Sequence, residues 1–271
     1  GLNNMNMYLH ELKSMRKSAI IWTCALIELA ALYISIYHEM ANDAEDFKEL
    51  LSGYPATVRA MLGIDINYIT SFLGFYSMIF SFITLCGAIQ AMNLGVPILS
   101  KESRERTADF LLVKPVSRSA IVSAKLLAAL TVMLATDIVF YAALYLMVNA
   151  VEIVNYSVKL FFMVNLTLLF VQLIFLSIGM VISVFFKKIK NVLPISLGTV
   201  FGFYIVGALI ATDKNNDIER FLSPFKYFDS TYIIKNSEYE VPYLIAGAAV
   251  IIVAIIVSYI IYTKKDINAV S

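Results

Sequence analysis

Residues 101–118 read KESRERTADFLLVKPVSR, and eight of these eighteen residues are charged. Long apolar segments lie on both sides of this block, at residues 72–98 and 119–148. A helix needs about 20 apolar residues to cross the hydrocarbon core of a bilayer, and each segment provides more. The charged block therefore predicts a water-exposed link between two membrane-spanning helices.

Apolar segments of this kind recur through the whole chain. Its 271 residues are 60% hydrophobic and 15% charged, which is far more apolar than a soluble domain. Six segments are long enough to span a membrane, at residues 18–37, 72–98, 119–148, 160–186, 192–211 and 243–263. We predict an all-α, polytopic membrane protein with six transmembrane helices in a single domain, residues 1–271. The net charge of +1 argues against nucleic-acid binding.

The distribution of basic residues predicts the orientation of the helices. Lysine and arginine near helix ends stay on the cytoplasmic side of the membrane. Thirteen of the 21 basic residues lie at four sites, residues 13–17, 101–118, 187–190 and 264–265. We therefore expect both termini in the cytoplasm, and residues 38–71 and 212–242 as extracellular loops.

The N-terminal residues predict a further helix before the first span. Apolar and basic side chains share helical spacing here, at Met5, Leu9, Leu12 and Arg16. This pattern is typical of a short amphipathic helix on the inner membrane surface. The alternative is a solvated N-terminal extension.

The charged block itself also has a helical pattern. Small or apolar residues recur on one face, at Leu99, Ser103, Thr107 and Phe110. Pro115 disfavours helix at the residue before it and so ends the pattern. We predict a cytoplasmic helix at residues 101–113, with one face suited to a groove. The alternative is a loop whose charges only set the topology.

A specific motif follows the second apolar segment. It comprises Glu102, Thr107, Leu111, Leu112, Pro115, Val116, Ser117, Arg118 and Lys125. Together with LLSGYPATVRAMLGI at residues 50–64 and LSPFKYFDS at residues 222–230, this motif resembles the permeases of type-two ATP-binding-cassette (ABC) exporters. Arg106 departs from the family pattern, because many members have glycine at this position.

The resemblance implies a role for the charged block. In such permeases the first cytoplasmic loop is a coupling helix, which sits in a cleft of a separate ATPase subunit. The residues that it assigns to this contact are Glu102, Arg104, Arg106, Thr107, Phe110, Leu111, Pro115 and Arg118. It also implies a second permease, as a homodimer or heterodimer, in contact with membrane lipid in the cell membrane of a bacterium. ATP and magnesium are expected on the ATPase, since this sequence lacks the P-loop pattern G-x-x-x-x-G-K-[ST].

A few polar residues inside the apolar segments are candidates for a transport cavity, namely Glu28, Gln90, Asn93 and Asp137. Polar groups at membrane depth usually face the bundle interior or water, so hydrogen bonding between helices is the alternative for each. Gly198 and Gly202 have the spacing that lets helices pack closely, within one chain or between two permeases. We predict neither a catalytic site nor a metal site.

Three functions are compatible with these features. We expect a permease that exports an amphipathic molecule, such as a drug or antimicrobial peptide, because no charged pore lining is evident. An ion- or proton-coupled secondary transporter is the first alternative, and it is favoured only by Glu28 and Asp137. A polytopic membrane enzyme is the second, and it would need an acid–base pair or metal cluster near one interface.

The predicted topology can be tested by cysteine labelling. In a variant without Cys24 and Cys86, Lys48→Cys should react with an impermeant thiol reagent in intact cells, because residue 48 lies in a predicted outer loop. Arg104→Cys should react only after permeabilisation. Labelling of Arg104→Cys from outside would overturn the arrangement.

Overall fold

The computed structural model describes residues 2–100, 117–186, 189–213 and 217–264. These residues form nine α-helices and no strand. The helices are α1 (Leu2–Met40), α2 (Ala44–Ser52), α3 (Ala56–Leu62), α4 (Phe72–Gly95), α5 (Arg118–Ala150), α6 (Val158–Phe185), α7 (Val192–Ile210), α8 (Ser230–Asn236) and α9 (Val241–Lys264). The predicted helix at residues 101–113 lies outside the described residues.

Six of these helices are long and apolar enough to cross a membrane, namely α1, α4, α5, α6, α7 and α9. The prediction of an all-α polytopic protein is therefore confirmed. The second span continues past a turn at Val96 as far as Ser100, the last residue described before the charged block. The predicted orientation of the termini stays a prediction.

Contacts between helix ends define two ends of the bundle. At one end, the backbone N–H of Leu99 donates to Ser183 Oγ (2.8 Å), which joins the ends of α4 and α6. At this same end lies the start of α5, where Arg118 Nη1 donates to the carbonyl of Thr263 in α9 (3.2 Å). We call the end with Ser100, Arg118 and Lys264 the basic end. The opposite end, where residues 41–71, 211–213 and 217–240 lie, is the loop end.

The first helix differs from the expectation of a separate surface helix. α1 runs without interruption from Leu2 to Met40, so the predicted surface helix and first span are one element. Its sequence contains neither glycine nor proline, so no residue with low helix propensity ends it. Met5 and Leu9 are exposed, and the side chains that pack on the core are Met7, Leu12 and Met15.

Helices α4 and α6 approach closely because glycines line their contact. A Cβ atom added to Gly95 would lie 2.6 Å from the carbonyl oxygen of Leu176. One added to Gly179 would lie 3.0 Å from the Cα of Gly95. One added to Gly87 would lie 2.5 Å from Cδ1 of Leu168. This contact, the α4–α6 seam, depends on the absence of side chains at three positions.

The segment at residues 217–240 enters the bundle instead of only covering its loop end. The ring of Phe225 lies 5.0 Å from that of Phe175, which is past the midpoint of α6. Ser223 Oγ donates to the carbonyl of Phe203 in α7 (2.8 Å). Tyr227 is buried against Ile174. The aromatic residues of this segment therefore fill space between α6, α7 and α9.

The close contact at Gly95 can be tested with a single methyl group. Gly95→Ala should lower the free energy of unfolding by about 1–3 kcal/mol, because the new Cβ meets backbone that side-chain rotation cannot move. Gly198→Ala is the matched control, since nothing lies within 4 Å of a Cβ at that position. In the monomeric permease it should be neutral or stabilising, because alanine favours helix. Thermal unfolding in detergent measures both, and equal stability of the two variants would contradict the packing.

Candidate functional site

Asp137 lies in the protein interior, next to a buried glutamine. Its side chain in α5 is 2% exposed, and Gln172 in α6 is 0% exposed. With its amide nitrogen toward α5, Gln172 donates to both carboxylate oxygens of Asp137, at 2.6 and 2.8 Å. This contact joins two helices at membrane depth through direct hydrogen bonds between side chains.

With its amide turned the other way, Gln172 contacts α4 instead of α5. Its nitrogen then donates to Gln90 Oε1 (3.2 Å) and to the carbonyl of Gly87 (3.4 Å) in α4. Gln172 therefore lies within hydrogen-bond distance of side chains on both α4 and α5.

The hydrogen bonds continue from Gln90 to the first helix. Gln90 Nε2 donates to Thr136 Oγ1 (3.1 Å), and Thr23 Oγ1 of α1 donates to the same oxygen (3.2 Å). We call Thr23, Gln90, Thr136, Asp137 and Gln172 the polar chain. It connects α1, α4, α5 and α6 in the centre of the bundle.

The other predicted cavity residues lie elsewhere. Glu28 is exposed on α1 and so does not join the polar chain. Asn93 has a buried Oδ1 without a hydrogen-bond partner among the described residues. A Cβ at Gly198 or Gly202 would meet nothing within 4 Å, so neither glycine serves close packing within the described chain.

At the basic end, the start of α5 is tied to two neighbouring helices. Lys125 Nζ donates to Glu11 Oε1 of α1 (2.9 Å), and their side chains are only 3% and 11% exposed. Ser123 and Tyr259 of α9 share a hydrogen bond of 2.7 Å between their hydroxyl groups. The predicted contact residues at 102–115 lie outside the described residues, and Arg118 is the first residue of α5.

A cavity of about 370 Å³ opens at the loop end, between α3, α4, α6, α7 and the segment at 217–240. We call it the loop-end cavity. Many of its walls carry hydroxyl groups, including those of Ser77, Ser81, Thr84, Thr167, Tyr204 and Thr231. Arg220 and Lys226 also line it. Two carboxylates, Asp65 and Asp229, share the wall with them, and the sequence did not lead us to expect this charged lining.

Sequence reasoning identified Asp137 and Gln90 but missed the residues that join them. Thr23, Thr136 and Gln172 are uncharged, and such residues are common inside spanning helices as ordinary hydrogen-bonding groups. Glu11 was missed as well, although it lies on the same helix as the predicted Leu12 and Arg16. A search for every amide within an apolar segment would have found Gln172.

Comparison with known proteins identifies one family. Residues 5–267 match the model of a family described as ABC-2 family transporter protein. The chain matches none of the curated proteins with which it was compared. Among the described residues, no group of three or more histidine, cysteine, aspartate or glutamate side chains is arranged to hold a metal ion.

The polar chain predicts a non-additive response to mutation. Gln172→Leu should lower the free energy of unfolding by about 1–3 kcal/mol, because it leaves buried polar groups of Asp137 and Gln90 without this partner. Asp137→Leu should lower the free energy of unfolding less in the Gln172→Leu variant than in the parent. In the Gln172→Leu variant the side chain of Asp137 has already lost this partner, so its removal costs less. Chemical unfolding of the four proteins in the cycle measures the coupling.

Ser258→Ala is the control for this cycle. Ser258 is equally buried, but its hydroxyl donates to Ala254 of its own helix, so its removal should change stability little. Strictly additive losses at Asp137 and Gln172 would show that the two side chains do not interact.

Proposed function

This chain belongs to the ABC-2 family of transporters, and we propose that it is the permease subunit of an ATP-driven exporter. The observation that carries the proposal is the family match over residues 5–267, nearly the whole chain. In this proposal the six spanning helices form the path through the cell membrane. ATP and magnesium act on a separate ATPase subunit, since the sequence has no P-loop pattern.

We infer that residues 101–113 form the coupling helix that docks on the ATPase. The support lies in the motif from Glu102 to Arg118 and in the contacts of the helix that follows it. α5 begins at Arg118 and is tied within its first turns to α9 through Thr263 and to α1 through Glu11. A force applied at the start of α5 therefore reaches two further spanning helices.

A second permease is part of the proposal. Gly198 and Gly202 present a small-residue face on α7 that no other part of the described chain covers. The neighbouring Phe201 and Ile205 are exposed as well. A face of this kind suits close packing of two helices in a membrane. We infer that a second permease packs near this face of α7.

The proposed cargo is amphipathic, such as a drug or an antimicrobial peptide. The loop-end cavity supports this class, because aromatic rings of Phe80, Phe225 and Phe228 lie beside its hydroxyl groups. A ligand with both an apolar and a polar part matches such walls.

Two changes in the predicted coupling helix test the exporter proposal. Phe110→Ala removes an apolar anchor, and loss of a buried anchor commonly costs about 2 kcal/mol, or about thirtyfold in affinity. We expect loss of the co-purifying ATPase or of substrate-stimulated ATP hydrolysis. Glu102→Lys is the matched variant, and it should mainly make assembly sensitive to salt, since rim charges act mostly on association.

Both variants should reach the membrane in normal amounts. The measurements are co-purification and ATP hydrolysis by the reconstituted complex. Parent-like binding and coupling of both variants would leave residues 101–113 as a topology loop. Transport that needs an ion gradient and no nucleotide would instead indicate a secondary transporter.

A further inference from the structure

The loop-end cavity contains an ammonium group whose charge is not neutralised by an ion pair. Lys226 lines the cavity, and within the described ranges no carboxylate lies within ion-pair distance of its Nζ. The other charged groups of the wall are engaged. Arg220 forms a two-pronged ion pair with Glu240, at 2.7 and 2.9 Å. Asp65 forms an ion pair with Lys235, with 3.1 Å between Oδ2 and Nζ.

Asp229 is the remaining carboxylate of the wall, and it has a local role. Its Oδ1 accepts the backbone N–H of Thr231 (3.1 Å) and so caps the start of α8. It is exposed, whereas Lys226 is largely covered by protein. Asp229 therefore balances the charge of Lys226 only from a distance.

The position of Lys226 is fixed by two neighbouring features. Arg220 donates from Nε and Nη2 to the backbone carbonyl of Lys226, at 3.2 and 2.9 Å. The side chain of Lys226 lies along Gly207 of α7, where an added Cβ would be 3.3 Å from Lys226 Cγ. The backbone is therefore held by a residue that is itself ion-paired, and the side chain lies in a space that glycine leaves open.

The electrostatic state of Lys226 favours an anionic ligand. Burial lowers the pKa of its ammonium group, Asp229 raises the pKa again, and Arg220 lowers it. A buried cation without a close counter-ion is unfavourable, and an anion in contact with it offsets that cost.

We propose that the loop-end cavity binds the anionic head group of an amphipathic molecule, with Lys226 as its counter-ion. Lysine binds phosphate groups well. Ser77, Thr84 and Thr167 already donate to carbonyls of their own helices, but Ser81 and Tyr204 share one hydrogen bond, so one of these two hydroxyl groups keeps a proton to donate to such oxygens. The cavity of about 370 Å³ is in the range of small-ligand sites. Phe225 and Phe228 supply apolar surface for the adjoining part of the molecule.

Ligand binding to the purified permease tests this site directly. Octyl phosphate is titrated onto the permease in phosphatidylcholine nanodiscs, and the rise in unfolding temperature gives the affinity. Octyl glucoside has the same tail without the charge, and inorganic phosphate has the anion without the tail. Neither ATP nor the ATPase is present, so a failure of the exporter proposal does not affect this experiment.

Three variants locate the binding. Lys226→Gln should weaken octyl phosphate binding about tenfold or more, because it removes a charge-assisted hydrogen bond. Ser81→Leu adds an apolar side chain to the cavity wall from α4 and should abolish binding. Lys159→Gln removes an exposed charge at the same end of the bundle, outside the cavity, and should bind like the parent.

The outcomes separate the sources of the anion. Lys226-dependent binding of octyl phosphate alone indicates an amphiphile, such as a lipid or the transported molecule. If inorganic phosphate also binds in a Lys226-dependent way, the anionic group alone is sufficient for binding. Equal binding of octyl phosphate to the parent, Lys226→Gln and Ser81→Leu, or equal stabilisation of the parent by octyl glucoside, would overturn the proposal.

Discussion

The seam between α4 and α6 is the contact on which the rest of the structure depends. Its hydrogen bonds join residues that are 89, 85 and 84 positions apart, from the loop end through the middle to the basic end. This nearly constant separation means that the two helices run parallel along their length. The glycines at 87, 95 and 179 make their distance short. Both helices then contribute to the polar chain and to the walls of the loop-end cavity, so one contact sets both.

Hydropathy was sufficient to predict the six spanning helices, because each needs a long apolar stretch whatever its neighbours are. It was insufficient for α1, where continuity from Leu2 to Met40 depends on the absence of helix-breaking residues. It was also insufficient for residues 217–240, whose mixture of charges and aromatic rings suits a surface cover or a buried wedge. The contact of Phe225 with Phe175 decides between them, and no local pattern contains that contact.

The candidate sites were predictable only in part, for a related reason. Asp137 is conspicuous because a carboxyl group is rare in an apolar segment. Its partner Gln172 can be assigned only when the relative register of α5 and α6 is known. Lys226 was hidden by its surroundings, since a lysine in a loop rich in charged residues usually faces water. The charged block at 101–116 is understood from its sequence pattern alone.

The place of Asp137 along the chain also constrains how the protein is assembled in the membrane. The ribosome makes α5 before α6, so Asp137 enters the bilayer before Gln172 has been synthesised. A carboxylate at that depth costs roughly 2.5–3.5 kcal/mol on insertion scales. Gln90 in α4 is also synthesised before Gln172, which is one of its hydrogen-bond partners. The helix α6 therefore supplies the hydrogen-bonding partner of two helices that are synthesised before it.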